Sequence, residues 1–455
     1  MKNNSLTLTE GVIWKKLLFF ALPLLGTSLI QQLYHTVDLI YVGNFVGKEA
    51  AAAVGASTLF VTCLVGFFSG MSIGSSVVAS YVFGTGNQKE LKKVVHTAIA
   101  LGFVSGIIIM VIGLIGAPFF LQLINTPDEI MDLAVIYIRI YFLSMISVIT
   151  YNMGSGIIRA MGNSRTPMNI QLIGGIVNVI MGGIFVIVLK FGVVGVAWAT
   201  LFSQTIAALM VLHYLMNTNS DFKLELNKIR IDKQYFFRIL KIGVPAGFQT
   251  LVITISNVFA QFHVNSLGVD SIAAFTVYFK VELLIYLPIL AMGQTITTFT
   301  SQNIGAGNYD RVRKGTRVCL IIGIGITAVM SLVLLVFGRQ AFGVINNDPS
   351  VVAYGLQIIR ITLPFYWIYL ILEVLGGTIR GAGKAVPPMA IILTNICVLR
   401  TILLFVIMSS FHDIQGIAIT YPITWASTAL CMALYYWRGN WMGEVNSLRV
   451  VNAES

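Results

Sequence analysis

The sequence predicts an all-α, polytopic membrane protein of twelve transmembrane helices in two pseudo-symmetric six-helix lobes, and three observations predict it. Of the 455 residues 57% are hydrophobic and only 10% are charged, against roughly 25% charged residues in a soluble domain. Apolar runs of about 20 residues, each able to cross about 30 Å of hydrocarbon as a helix, recur along nearly the whole chain. The halves also repeat each other: one constant offset brings Arg139 onto Arg360, Arg159 onto Arg380, Gly162 onto Gly383 and Pro167 onto Pro388.

Each element follows from its own residues. The first run, 14–43, lacks the small-residue cleavage site of a signal peptide and is read as a true span. The second, 51–83, stops at the turn FGTGN, and the third, 93–116, carries Gly102 and Gly106, small enough for close helix approach. The fourth, 132–155, follows the external acidic cluster Asp128, Glu129 and Asp132. The fifth, 167–189, opens at Pro167 and contains Gly174, Gly175, Gly182 and Gly183; the sixth is 193–216. After a basic linker the pattern returns at 239–265, 272–300, 315–338, 355–379, 388–410 and 415–437. Pro23, Pro245, Pro288 and Pro364 fall inside apolar runs, where a lost backbone hydrogen bond permits a bend. The domain reading is a first lobe over 1–216, a linker over 217–238 and a second lobe over 239–455. An even number of spans per copy gives both copies the same orientation, the parallel-repeat plan in which substrate sites lie near the midplane between repeats.

The net charge of +11 sets topology rather than binding nucleic acid, since no basic domain stands outside the spans. With both termini cytoplasmic, Lys48, Lys190 and Arg339 are the basic residues left outside and most of the others fall inside, as the positive-inside rule requires. The expected location is therefore the cytoplasmic membrane, with lipid and a small-molecule substrate as partners, no nucleic acid, and a monomer. Cys63, Cys319, Cys397 and Cys431 lie within apolar runs without metal-ligand spacing. Nucleotide, zinc-protease and serine-hydrolase motifs are absent, so no enzyme and no cofactor is expected. An ion gradient is then the energy source to look for.

Three carboxylates sit within spans: Asp38, Glu282 and Glu373. Each costs about 2.5–3.5 kcal/mol at a helix centre and needs a reason to be there. Asn178 and Thr200 reach depths similar to Asp38, and a carboxylate, an amide carbonyl and a hydroxyl make a hard oxygen set for sodium, while a carboxylate alone suits a proton. A hydrogen-bonded brace is the competing reading. Glu373 takes the repeat position of Asn152, so one copy carries an acid where the other carries an amide. For Glu282 and Glu373, cation attraction competes with an internal ion pair. For Gln249, Asn257, His263, Asn395 and Arg400 interhelical hydrogen bonding competes with a part in the site, while Tyr34, Tyr286, Met292, Phe365 and Tyr366 offer aromatic or thioether surface to a bulky cation or simply pack and face lipid. Glu282, Glu373, Asn152, Gln249, Tyr34 and Met292 are the candidates for substrate binding.

The segments ALPLLGTSLIQQLYHTVDLIYVGNFVG, FGTGN and IIRAMGNSRTPM, repeated as IGVPAGFQT, TSQNIGAGNYDRVRKG and TIRGAGKAVPPM, resemble the multidrug and toxic compound extrusion family over nearly the whole chain. The resemblance implies a V-shaped pair of lobes that exchanges drug-like, often cationic, compounds for sodium ions or protons. It also implies that Asp38 is the coupling acid, with Asn178, Thr200 and Gln31 as companions. The sequence departs from the family pattern at Gly182, where many relatives carry a second acid. A flippase for a lipid-linked precursor is the alternative within the same superfamily.

Overall fold

The computed structural model describes residues 7–218 and 222–442, and among these it holds sixteen α-helices and no strand. The first copy runs α1 (Ile13–Tyr41), α2 (Lys48–Gly84), α3 (Gln88–Leu123), α4 (Asp128–Leu143), α5 (Met145–Ala160), α6 (Arg165–Gly183) and α7 (Val193–Asn217). The second runs α8 (Lys233–Ser266), α9 (Val269–Gly305), α10 (Tyr309–Val336), α11 (Gly338–Ile345), α12 (Pro349–Thr362), α13 (Tyr366–Gly381), α14 (Val386–Ile392), α15 (Arg400–Ser410) and α16 (Ile414–Arg438). Among the described residues eleven spans are long and apolar enough to cross a membrane, and the bent pair α4–α5 makes a twelfth.

The duplication is repeated in the backbone. α2 and α9 begin and end at matching positions of the two copies, as do α7 and α16. Gly47, Gly86 and Gly162 have φ of 119°, 72° and 84°, and their counterparts Gly268, Gly307 and Gly383 have 97°, 75° and 81°. Left-handed backbone of this kind strains any side chain with a Cβ, so the same turns need the same residue twice.

The fourth span of each copy breaks at the same place for different reasons. In the first copy α4 and α5 meet at 42° around Ser144, whose hydroxyl donates to the Tyr141 carbonyl at 2.6 Å. In the second, the tight turn Leu363–Phe365 contains Pro364, which has no N–H to continue the helix.

The chain forms two compact units, one built on Leu22–Gly247 and the other on Leu8–Ala21 with the chain from Phe248 onward. Both divisions fall inside a helix, beside Pro23 in α1 and beside Pro245 in α8. Within the first unit the start of α8 lies directly on α2. A Cβ added at Gly70 would come within 2.2 Å of the Gly247 nitrogen, and one at Gly74 within 2.4 Å of the Ile239 carbonyl. Lipid supplies no hydrophobic drive between helices, so such backbone-to-backbone packing is what joins them.

Candidate functional site

In the first unit α1, α6 and α7 bring one polar cluster together. Asp38 and Tyr34 lie one turn apart on α1, Gln171 and Asn178 two turns apart on α6, and Thr200 and Gln204 one turn apart on α7, so each pair shares a helix face. The close approach of α1 to α6 is made at Gly175, where an added Cβ would be 3.2 Å from Ile30 and 3.6 Å from the Tyr34 ring. Asp38 is 9% exposed, Asn178 1% and Thr200 4%.

Asn178 lies beside the Asp38 carboxylate, and its Nδ2 donates to Thr200 Oγ1 at 3.4 Å. Gln204 Nε2 donates to the Tyr34 hydroxyl at 3.4 Å. The field of Asp38 also reaches Tyr137 and Tyr141 of α4. The feature that matters chemically is what the cluster leaves over. Asp38 Oδ1, Asn178 Oδ1 and both side-chain polar atoms of Gln171 are buried without a hydrogen-bond partner. Burying an anionic oxygen without a partner costs several kcal/mol, a cost that a small cation or a proton removes. Among the described residues no three His, Cys, Asp or Glu side chains are placed to hold a metal ion. A cation here would meet one carboxylate and neutral oxygens, a set that fits sodium and also fits a lone proton.

The structure thus brings together Asp38, Asn178 and Thr200. Gln31 lies half-buried on α1, one turn before Tyr34. Gln171, Gln204, Tyr137 and Tyr141 were not singled out from the sequence. Helical spacing offered a signal for two of them, since Gln171 and Gln204 lie at face-sharing intervals from Asn178 and Thr200.

The second-unit candidates fall into two separate groups. Glu373 is paired with Arg380 at 3.4 Å, and Arg380 Nη1 donates to Gln249 Oε1 at 2.9 Å. Gly293 makes room for this carboxylate, since an added Cβ would stand 3.0 Å from Glu373 Oε2. The first copy has Ser72 at that position, and its hydroxyl donates to the carbonyl of Asn152, the half-buried counterpart of Glu373. Glu373 therefore has the internal ion pair that the sequence leaves open. Glu282 accepts a hydrogen bond from the Tyr366 hydroxyl, which lies 3.1 Å from that of Tyr278. Near it Arg400, 2% exposed, sits over the Tyr421 ring at 4.4 Å and donates to Thr424 Oγ1 and Asn257 Oδ1. Met292 is buried, with its carbonyl facing Cys319.

Comparison with known proteins agrees with this architecture. The MatE family profile matches residues 23–184 and 245–406, one match per copy. The probable multidrug resistance protein YpnP of Bacillus subtilis is 27% identical over 442 residues, covering 95% of this chain and 97% of its own. The probable multidrug resistance protein YoeA of the same organism is 26% identical over 432 residues, covering 93% of each. Among solved structures, a multidrug resistance MATE family transporter in an outward-facing conformation superposes with a TM-score of 0.90 at 20% identity, over 99% of this chain and 100% of its own. A MOP superfamily transporter from Pyrococcus furiosus also gives 0.90 at 20% identity, over 98% and 99%.

Proposed function

The chain belongs to the MatE family of multi-pass membrane transporters, and from that premise we propose that it is a secondary antiporter, not an enzyme, which exports small organic, cationic, drug-like compounds in exchange for sodium ions or protons. The observation that carries the coupling role is the pair of buried, unpartnered acceptors Asp38 Oδ1 and Asn178 Oδ1 in one cluster with Thr200. A cation or proton arriving there neutralises the only carboxylate of the cluster. Such a ligand moves the conformational balance only through unequal affinity for the two states, and an oxygen set left incomplete in one state is a physical source of that inequality.

The second copy supports a single coupling centre. At the constant offset that relates the copies Asn178 falls on Leu399, and Asp38 falls on Phe259 or its neighbour Ala260. The second copy thus has apolar side chains where the first has the acid and the cation-accepting amide, and it lacks the oxygen set for a second coupling ion. Cargo attraction rests instead on Glu282 and on the paired rings of Tyr286 and Tyr369, whose centroids lie 5.8 Å apart. In this reading the protein works as a monomer in the cytoplasmic membrane, and the distribution of its basic residues supports both termini lying inside.

The test uses purified protein in vesicles with an imposed proton or sodium gradient and a cationic dye as cargo. Asp38→Asn is expected to lower gradient-driven efflux about 5–150-fold, the usual range of a coupling energy. Undiminished gradient-driven efflux in that variant overturns the proposal. The gradient that drives the wild type identifies the ion.

A further inference from the structure

We propose that the first unit carries a binding site for the phosphate group of an anionic phospholipid, formed between the start of α3 and the segment 225–232. A cavity of 380 Å³ opens there, lined by Lys89, Lys93, His96, Lys228, Arg230 and Asp232 among others. Basic cavities at the ends of membrane helices are the usual receptors for such headgroups.

What distinguishes this cavity from a merely basic surface is which charges are already neutralised. Glu225 is ion-paired with both Lys92 and Lys228. Glu90 is paired with Lys93 at 2.9 Å and accepts from the Tyr235 hydroxyl. Asp232 accepts from the backbone nitrogens of Gln234 and Tyr235, capping α8, so its charge serves the helix N-terminus. Each of these acids is thereby occupied. Lys89 and Arg230 are exposed lining residues with no ion pair or hydrogen bond among the described residues. They leave two positive charges facing one concave space, which matches a phosphodiester in charge and in its appetite for donors.

The walls are fixed as well. The Glu225 backbone nitrogen donates to His96 Nε2 at 3.1 Å, His96 Nδ1 bonds the Lys92 carbonyl at 2.7 Å, and the Asp232 nitrogen donates to Thr97 Oγ1 at 3.1 Å. The same stretch of chain exposes large apolar side chains: Leu226 is 57% exposed, Ile231 43% and Phe237 65%. Side chains of this kind beside a cationic cavity fit acyl chains below a headgroup, and they favour a lipid over a free phosphate ion.

The experiment measures the thermal midpoint of the full-length protein in neutral detergent, titrated with phosphatidylglycerol, phosphatidylcholine or inorganic phosphate. Phosphatidylglycerol is expected to raise the midpoint saturably, and the other two are not. The affinity should fall roughly fivefold in Lys89→Gln or Arg230→Gln and about thirtyfold in the double variant, as two surface charges near a headgroup predict. The midpoint in phosphatidylcholine reports whether the variants remain folded. Equal shifts from both lipids, an equal shift from inorganic phosphate, or an undiminished phosphatidylglycerol affinity in a folded double variant would each overturn the proposal. Lys89→Arg should keep the binding.

Discussion

The ring of Tyr41 lies over Gly182, so that a Cβ added at Gly182 would meet two ring carbons at 3.0 and 3.1 Å. The Tyr41 hydroxyl donates to the Val179 carbonyl at 3.1 Å, one residue after Asn178. The space over Gly182 is therefore filled by an aromatic ring that also ties α1, bearing Asp38, to the turn of α6 bearing Asn178. Gly182→Ala should overpack this contact and cost about 1–3 kcal/mol. Tyr41→Phe should cost about 0.5–1.5 kcal/mol for the lost hydrogen bond. Denaturation of the single and double variants checks this: Gly182→Ala should become nearly neutral in a Tyr41→Ala background, and full additivity would mean that the two residues do not meet.

Thr200 is the acceptor of the Asn178 amide, and that bond turns Asn178 Oδ1 away from the hydroxyl. Thr200→Val keeps the shape and removes the acceptor, leaving a buried donor unpaired at about 1–3 kcal/mol. In dye efflux the ion concentration for half-maximal transport should rise in Thr200→Val and return close to the wild-type value in Thr200→Ser. If Val and Ser variants show the same ion dependence, the hydroxyl has no part in coupling.

The spans were legible because composition and period are local properties. The apolar runs, the two copies and the turn glycines could be read from spacing, and so could Asp38, since an acid in an apolar run is conspicuous. Side-chain partnerships between distant helices could not. Arg380 fell beyond the span read as 355–379, yet α13 continues to Gly381 and turns its guanidinium back to Glu373 inside the unit. The break at Ser144 had no proline or glycine to announce it. Nothing in the run 167–189 or in the first span indicated that the Tyr41 ring would occupy the space over Gly182, because that contact depends on how α1 and α6 approach each other.

The linker contributes a pH-sensitive contact. Hydrogen bonds and charge from Lys228 and Lys92 hold the Glu225 carboxyl down at about 2, against an ordinary 4.5. With the folded value depressed, the ionised carboxylate favours the docked segment above about pH 4.5, and that contribution is lost as pH falls toward 2. Pepsin cleavage within 222–232 should therefore be slower in the wild type than in Glu225→Gln at pH 4.5, and the two rates should converge near pH 2. A ratio that stays constant with pH would show that the pairs do not hold the segment.

Glu373 and Arg380 allow a brace to be told apart from a cargo site. Their side chains are 9% and 10% exposed, and the pair is joined to α8 through Gln249. Removing one partner strands a buried charge, so Glu373→Gln should cost about 3–5 kcal/mol, whereas replacing both partners by neutral groups should recover much of that loss. For a brace, Glu373→Gln with Arg380→Gln regains stability and dye efflux together. For a cargo site, the double variant regains stability while the dye concentration for half-maximal efflux stays raised. The carboxylate's second neighbour, Gly293, leans toward the brace: the cavity for this side chain is built into α9 and leaves 3.0 Å where a Cβ would stand. The expected outcome is therefore joint recovery, with thermal midpoint and efflux measured on the same preparations.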